Sequence, residues 1–506
     1  METGRGRVHV WRPAGRAEDL RAAGDCGSAA AGHPKPPAAD HPGIAGGSPA
    51  LLAVLLGITF LGTVSNNVLN VPLATITRDL AAPVSRGVLV VSAFVLVLAS
   101  AMPVTGWVGD RIGPRRVLAV ALTVMTAGLI AAAFAPDLWT LVACRAVQGL
   151  AGAAIPPSVM GTLSSRFGRG HRARVMSGWA AANGAGQAAG PPLGGLLAST
   201  LGWRWIFVVL AVLAGLLLLA ALRVLPRIPA RVVPLHRSGA ILLTTGTALI
   251  MTAATAVPQR GVPALADVGL AAAGAIALGA FAVTSARHHS PLIRPGLIVE
   301  SRFLRSGVAA FAQMFCLSAV LVTVPLYLVG SLGRSVAIAG AVVFALPATM
   351  AVLAPAAGLL CERASPRWTL RSGLLVLVAA SLALGEILAR HGSSMLVLAP
   401  VLMAVGVGVA LVQTPAAAGA TQSPAATAGA ALGLYNMVRF AGSAIGAAWV
   451  ALTYPRAALL LLFAGCAVMA GVGLLASFAG KDPTWPQPGA TEPDPGADEA
   501  GLVSAV

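Results

Sequence analysis

From Ala50 to Phe478 the chain alternates apolar runs of about twenty residues with short polar turns. A helix rises 1.5 Å per residue, so such a run crosses the ~30 Å of hydrocarbon in a bilayer. The pattern predicts spans near 50–73, 86–107, 116–136, 138–162, 173–199, 204–224, 238–257, 266–285, 305–330, 336–360, 369–389, 394–418, 427–453 and 457–478. That is fourteen helices and an all-α polytopic membrane protein. The flanks differ. Residues 1–49 mix five acids and six bases with Gly, Ala and Pro and show no 3.6-residue stripe, as expected of a loose tail. Residues 480–506 read as an acidic tail. No short apolar core precedes Ala50, so the first span is expected to be retained and not cleaved as a leader.

Composition agrees with the pattern. At 57% hydrophobic and 10% charged residues, with a mean hydropathy of +0.83, the chain lacks the polar surface of a soluble domain. Its net charge of +17 raises the question of nucleic acid, which the distribution answers. With a cytoplasmic N-terminus, the inner loops hold Arg111, Arg115 and Arg116, then Arg166, Arg169, Arg172 and Arg174, then Arg223, Arg227, Arg231 and Arg237. Arg287, Arg294, Arg302, Arg305, Arg363, Arg367 and Arg371 continue the series, against Arg78, Arg86, Arg204, Arg260, Arg334, Arg390 and Arg456 outside. This is the positive-inside bias; no nucleic acid is expected, and an even span count puts both termini in the cytoplasm. Cys144, Cys316 and Cys466 fall in spans, Cys361 in an inner loop and Cys26 in the tail, with no disulfide or zinc spacing.

Between the second and third spans the chain reads GWVGDRIGPRR, 106–116, and a degraded copy, GLLCERASPRW, recurs at 358–368. Two copies of one loop indicate two related halves, a common construction for transporters. The first copy, Gly-x-x-x-Asp-Arg-x-Gly-x-Arg-Arg, resembles the cytoplasmic signature of the major facilitator superfamily. The resemblance implies that Gly106, Asp110, Arg111, Gly113, Arg115 and Arg116 latch the halves together on the cytoplasmic side in one access state. The other reading of the arginines is a topogenic turn.

Further stretches extend the resemblance. LVACRAVQGLAGAA, 141–154, is similar to the superfamily's Arg-x-x-Gln-Gly element; Arg145 sits about 10 Å inside its span, and an arginine at that depth is either functional or snorkels to the interface. Gln148 shares its face. In the fifth span Gly186, Gly190 and Gly194 recur every four residues, with Pro191 and Gly195 beside them, a flat stripe for close helix contact. It resembles the glycine–proline signature of the superfamily's antiporters. WRWIF at 203–207, PLYL at 325–328 and GLYNMVRFAGSAIG at 433–446, which carries Asn436 and Arg439, point to the fourteen-span drug/proton antiporter branch. That branch implies two six-helix bundles, 50–225 and 305–479, joined over 226–304 by two extra central spans that act as a linker.

One departure matters most. The branch usually has an aspartate in the first span, where this chain reads VSNNVLNVPLA, 64–74, with Ser65 in the acidic position and Ala74 in place of a proline. Outside the tails the acids are Asp79, Asp110, Asp137, Asp267, Glu300, Glu362 and Glu386, and all but Glu386 fall in expected loops. Arg145 and Arg439 lie at depth without an acid partner in the sequence. A cavity of positive or near-neutral field follows, suited to neutral or anionic amphiphiles. Asn66 and Asn70, with Asn67 and Ser65 near them, put a polar face on the first helix, as interhelical glue or as a wall of the substrate path.

The chemistry expected is export of small amphipathic organic compounds by alternating access in the cell membrane, against an inward proton gradient, by a monomer with protons as a possible second partner. An uncoupled facilitator or importer, or a transport-dead sensor on the same fold, is the alternative. No enzyme is expected: there is no Ser/His pair on adjoining spans and no metal motif. No cofactor is expected either, since no phosphate-binding glycine loop with Lys-Ser/Thr occurs. The histidines at 288 and 289 read as surface residues.

Overall fold

A computed structural model describes residues 48–167, 171–227, 234, 236–256, 264–390, 395–454 and 458–480. Nearly all of both expected tails lies outside the described residues, as do Cys26, Arg169, Arg231, Arg260 and Arg456. The described chain is almost wholly helical and contains no strand. In order the helices are α1 (Pro49–Asn67), α2 (Leu73–Asp79), α3 (Val84–Ile112), α4 (Pro114–Ala133), α5 (Leu138–Ala153), α6 (Ile155–Arg166), α7 (Arg172–Thr200), α8 (Arg204–Val224) and α9 (Arg237–Ala256). There follow α10 (Ala264–Arg287), the short α11 (Pro295–Ile298), α12 (Ser301–Gly330), α13 (Val336–Arg363), α14 (Pro366–Ala389), α15 (Met395–Gln422), α16 (Gly429–Thr453) and α17 (Leu459–Ala476).

Among the described residues 11 helical spans, counting Leu138–Arg166 as one, are long and apolar enough to cross a membrane. The other three expected spans coincide with α7, α9 and α16, of 29, 20 and 25 residues. At 1.5 Å per residue these also have the length. Their hydropathy is diluted by Asn183 and Gln187 in α7, by threonines in α9, and by Asn436 and Arg439 in α16. Leu265, Ile276, Leu396 and Leu475 stay exposed on the flanks of the rods, where a bilayer supplies the apolar surroundings that water cannot.

The helix ends follow local chemistry. Ser48 caps α1, its hydroxyl accepting from the Leu51 amide at 3.2 Å, with Pro49 pre-set for the first turn. The first span stops at Asn67, short of the expected residue 73; a turn leads to Pro72 and the separate helix α2. The fourth span breaks between α5 and α6 at Ala154, since Pro156 and Pro157 cannot donate to the preceding turn. What reads as an eleven-residue loop at 106–116 is helix on both sides: α3 runs to Ile112, Gly113 takes φ +86°, and α4 begins at Pro114. Only Gly113 leaves the helical path, which its lack of a Cβ permits. In the same way α13 runs to Arg363, so Cys361 and Glu362 are helical where a loop was expected. Asp267 likewise lies in the first turn of α10.

The helix neighbours repeat in two sets. In the first, α1 packs on α7 and α8, α3 on α5, and α4 on α5 and α8; in the second, α12 packs on α16 and α17, α13 on α15, and α14 on α15 and α17. Between the sets, α3 meets α16 and α7 meets α13. Each contact has its counterpart when the six spans of one half are laid on the six of the other. The hairpin α9–α10 stands outside this scheme: α9 rests on both α3 and α16, while α10 packs on α9.

Candidate functional site

A cavity of about 280 Å³ lies between the two sets. From α1 it takes Thr59, Thr63, Asn66 and Asn67, and from the turn beyond it Asn70, which therefore does not share the helix face with Asn66 that was expected; from α7, Trp179, Asn183 and Gln187; from α16, Arg439, Phe440 and Ser443. Val91, Val95 and Leu98 of α3 and Met314, Leu317, Ser318 and Leu321 of α12 complete much of its apolar wall. Spacings of four put Thr59, Thr63 and Asn67 on one face of α1 and Trp179, Asn183 and Gln187 on one face of α7. The α1 and α7 walls are tied together: the Thr63 hydroxyl donates to Asn183 Oδ1 at 3.1 Å, and Asn183 Nδ2 donates back to the Trp179 carbonyl at 3.0 Å. Asn67 Nδ2 donates to the Thr63 carbonyl at 2.8 Å, while the buried Asn66 Oδ1 has no partner. No carboxylate lines the cavity among the described residues.

The sequence-predicted residues divide between the cavity and its scaffold. Asn66, Asn70 and Arg439 reach the cavity. Ser65 does not; it is fully buried with an unpartnered hydroxyl. Arg145 is also buried away from the cavity, over the Phe94 ring at 4.2 Å. Its Nε donates to the Val90 carbonyl at 3.2 Å and its Nη1 to Gln148 Oε1 at 2.8 Å. Gln148 Nε2 in turn donates to the Gly128 carbonyl at 2.8 Å. The pair thus clamps α5 onto α3 and α4. Asn436 stands behind Arg439, accepting from its Nη1 at 3.3 Å and donating to Met160 Sδ at 3.3 Å.

The glycine stripe of α7 faces α1. A Cβ on Gly186 would stand 2.7 Å from Thr63 Cβ, one on Gly190 2.9 Å from Asn67 Cβ, and one on Gly194 would run into the Val68 carbonyl. The two helices therefore touch along their backbones. Gly195 points elsewhere, toward Val71 Cγ1 at 3.3 Å. Sequence reasoning missed Thr59, Thr63, Trp179, Asn183, Gln187, Phe440 and Ser443. The signal for three of them was present, since Trp179, Asn183 and Gln187 form a stripe of period four beside the glycines.

At the end of the molecule that carries residues 106–116 the two sets are cross-linked by polar contacts. Asp110 Oδ2 accepts from the Gly429 amide at 2.6 Å, at the first residue of α16. Arg174 in the first turn of α7 pairs with Glu362 of α13 at 2.8 Å. Arg172 Nη1 donates to the Thr421 carbonyl at 3.3 Å. Arg115 donates to the Leu222 carbonyl, and Arg111 lies over the Trp107 ring at 5.4 Å. Glu300 caps α12, accepting from the Arg302 and Phe303 amides at 2.8 and 2.9 Å and from the Ser423 hydroxyl at 2.7 Å. Burial raises the Glu300 carboxyl, yet those hydrogen bonds outweigh it and leave its pKa below the ordinary value.

At the opposite end Asp79 accepts from Trp203 Nε1 at 2.9 Å and from Arg204 at 2.7 Å. These bonds lower its pKa. Glu386 pairs with Arg390 on the exposed end of α14 and is not part of the cavity. His288 is exposed as expected, but its ring stacks on the buried His236 at 4.0 Å.

Comparison with known proteins places this geometry. The family model described as Major Facilitator Superfamily matches residues 55–447. The puromycin resistance protein pur8 of Streptomyces alboniger is 31% identical over 404 residues, covering 78% of this chain and 80% of that protein. The tetracenomycin C resistance and export protein of Streptomyces glaucescens is 28% identical over 403 residues, covering 79% and 74%. Among solved structures, the human organic anion transporter MFSD10 (TETRAN) shares the fold, with a TM-score of 0.62 at 18% identity over 85% of this chain and 99% of that one.

Proposed function

The chain belongs to the Major Facilitator Superfamily, a family of transporters and not of enzymes, and on that premise we propose that it exports small amphipathic organic compounds, drugs or natural products, by alternating access. The observation that carries this reading is the pairing of a central cavity with polar cross-links that, among the described residues, stand at one end of the same seam. The cavity is walled by α1, α3 and α7 from one half and by α12 and α16 from the other. Asp110–Gly429 and Arg174–Glu362 join those halves at the 106–116 end. Relatives named for puromycin resistance and for tetracenomycin C export support the direction and the cargo class.

In this reading the cross-linked end is cytoplasmic, both termini lie on that side, and the protein works as a single chain in the cell membrane. The Gly106–Arg116 cluster is the cytoplasmic gate, and its engaged latch closes the cavity from the cytoplasm. The α7 glycines hold α1 rigidly, as befits a wall of the path. Arg145 and Gln148 serve the path indirectly by fixing α5. The cavity favours neutral or anionic amphiphiles, because its polar atoms are amides, hydroxyls and one guanidinium set among apolar walls.

A second reading, transport without proton exchange, is favoured by one observation: no carboxylate stands on the cavity wall among the described residues to take and release a proton between the access states. The experiment for the main reading is accumulation of a panel of aromatic natural products in a deletion strain with and without the protein. Lower accumulation on expression, abolished by Asp110→Lys, is expected; equal accumulation of every compound overturns export.

A further inference from the structure

Among the described residues the cavity wall holds one formal charge, and it is unusually placed. Arg439 stands ten residues into α16, roughly 15 Å from its first residue, and is 2% exposed although it borders the cavity. Its guanidinium carbon lies 5.0 Å from the Trp179 ring and 5.3 Å from the Phe440 ring. Its Nη1 makes one long bond to Asn436, and its Nε has no partner.

A guanidinium carries five donor hydrogens and stays charged at any physiological pH. A buried charge without a counter-charge is costly, and stacking on two rings offsets only part of that cost. Since the wall supplies no acid among the described residues, the missing counter-charge falls to the cargo. The flanking rings of Trp179 and Phe440 offer flat faces to an aromatic body beside the charge. On α1 and α7, Asn66, Asn67 and Asn183 offer amides to its polar substituents.

We propose that the cavity carries a ring-bearing organic monoanion, a sulfonate or carboxylate, held by Arg439, and that the membrane potential drives its exit with no proton passed through the protein. This rests on the outward-transport reading given above. The charge balance closes. Loaded, Arg439 and cargo cancel, and the centre changes access as a neutral unit. Empty, the centre is positive, and an inside-negative potential favours its return to the cytoplasmic-facing state. One full turn moves one negative charge outward, which the potential favours by about fifty-fold per 100 mV. Asn436 sets the guanidinium in place from behind. Trp179 belongs to the other half, so a cargo that displaces it from Arg439 also loosens a contact between the halves.

The test uses the full chain in liposomes and two probes with one ring system and permanent opposite charges, 2-naphthalenesulfonate and (2-naphthylmethyl)trimethylammonium. A potassium diffusion potential, positive outside, is imposed at equal pH; a pH gradient is then imposed at zero potential. The sulfonate is expected to leave on the potential alone, at least tenfold faster than the cation. Arg439→Gln is expected to erase that preference and Arg439→Lys to keep most of it. Calorimetry on the solubilised wild type is the second measurement and does not depend on either variant folding: 2-naphthalenesulfonate is expected to bind at least tenfold more tightly than 2-naphthalenesulfonamide. Equal binding of the two, a preference for the cation, or sulfonate flux that follows the pH gradient and ignores the potential each overturns this inference. A wild type that pumps the cation on a pH gradient leaves export standing while this inference falls; one that moves neither probe under either gradient counts against both.

Discussion

Asp110 and Gly429 are 319 residues apart in the chain and meet at 2.6 Å, carboxylate to amide, where the end of α3 abuts the start of α16. The first amides of a helix lack partners within it and carry the positive end of its dipole, so a carboxylate there makes a charge-assisted bond. The degraded copy does the same work by other means. Glu362, the counterpart of Asp110, meets the start of α7 through the Arg174 side chain. Gly106 lets α3 close on the Gly429 backbone, and Gly358 lets α13 close on Ser177, whose Cβ would lie 2.7 Å from an added methyl. The repeat in sequence is therefore a repeat of contact at two seams.

Asp110→Asn keeps the shape of this contact and removes its charge. A charge-assisted bond exceeds a neutral one by on the order of 1 kcal/mol, so the ratio of latched to open molecules is expected to fall about fivefold. Spin-label distances between the ends of α3 and α16 read that population. Gly106→Ala is expected to push α16 away outright and to lower the melting temperature as well, whereas Arg174→Gln, which keeps a donor for Glu362 and alters a side chain that is itself more than half exposed, should cost about 1 kcal/mol.

Gly194→Ala and Gly195→Ala differ by one position and are expected to differ sharply in effect. The first drives a methyl into the Val68 carbonyl; the second meets only the tip of the Val71 side chain, which can turn aside. Overpacking of the first kind costs about 1–3 kcal/mol. Thermal unfolding of the two solubilised variants checks the difference, and equal melting temperatures would show that α1 and α7 are not in backbone contact.

Arg145→Leu leaves Gln148 Oε1 without its donor and frees the Val90 carbonyl of its second one, the first being within α3. An orphaned buried acceptor costs about 1–3 kcal/mol. The expected outcome is a lower yield and melting temperature, with cargo affinity per folded molecule unchanged, because this side chain does not touch the cavity. Calorimetry on the folded fraction checks it; a tenfold loss of affinity would place Arg145 on the cargo path.

Asp79 ties α2 to Trp203 and Arg204, and their hydrogen bonds hold its folded-state pKa below the ordinary carboxylate value. A lowered folded pKa contributes stability that is present above the unfolded value and lost as pH falls through the folded one. The melting temperature of wild type is therefore expected to exceed that of Asp79→Asn from neutral pH down to about 4 and to converge with it below. The site is half exposed, so the gap should be small, a few tenths of a kcal/mol.

Much of this was legible in the chain. Span positions follow from apolar run length, the two halves from the recurrence at 358–368, and a close helix contact along the fifth span, though not its partner, from glycines four apart, because each is a local periodicity. Facing was not legible. Arg145 and Arg439 read alike in sequence, two arginines at depth, and only the packing of α3 against α5 turns one into a clamp while α16 carries the other to the cavity. The Thr63–Asn183 bond joins residues 120 positions apart, and no pattern within either helix announces it. The 106–116 turn read as a loop because its residues are charged and glycine-rich, whereas all but Gly113 lie within α3 or α4.

The α9–α10 hairpin leans on one seam, over α3 and α16, where the Thr247 hydroxyl lies 3.1 Å from Met437 Sδ. The matching groove at α7 and α13 has no such cover among the described helices. A molecule dissolved in the bilayer would then find the two flanks unlike, one boarded over and one bare. Among the described residues, then, the pseudosymmetry of the two halves stops at their lipid-facing sides.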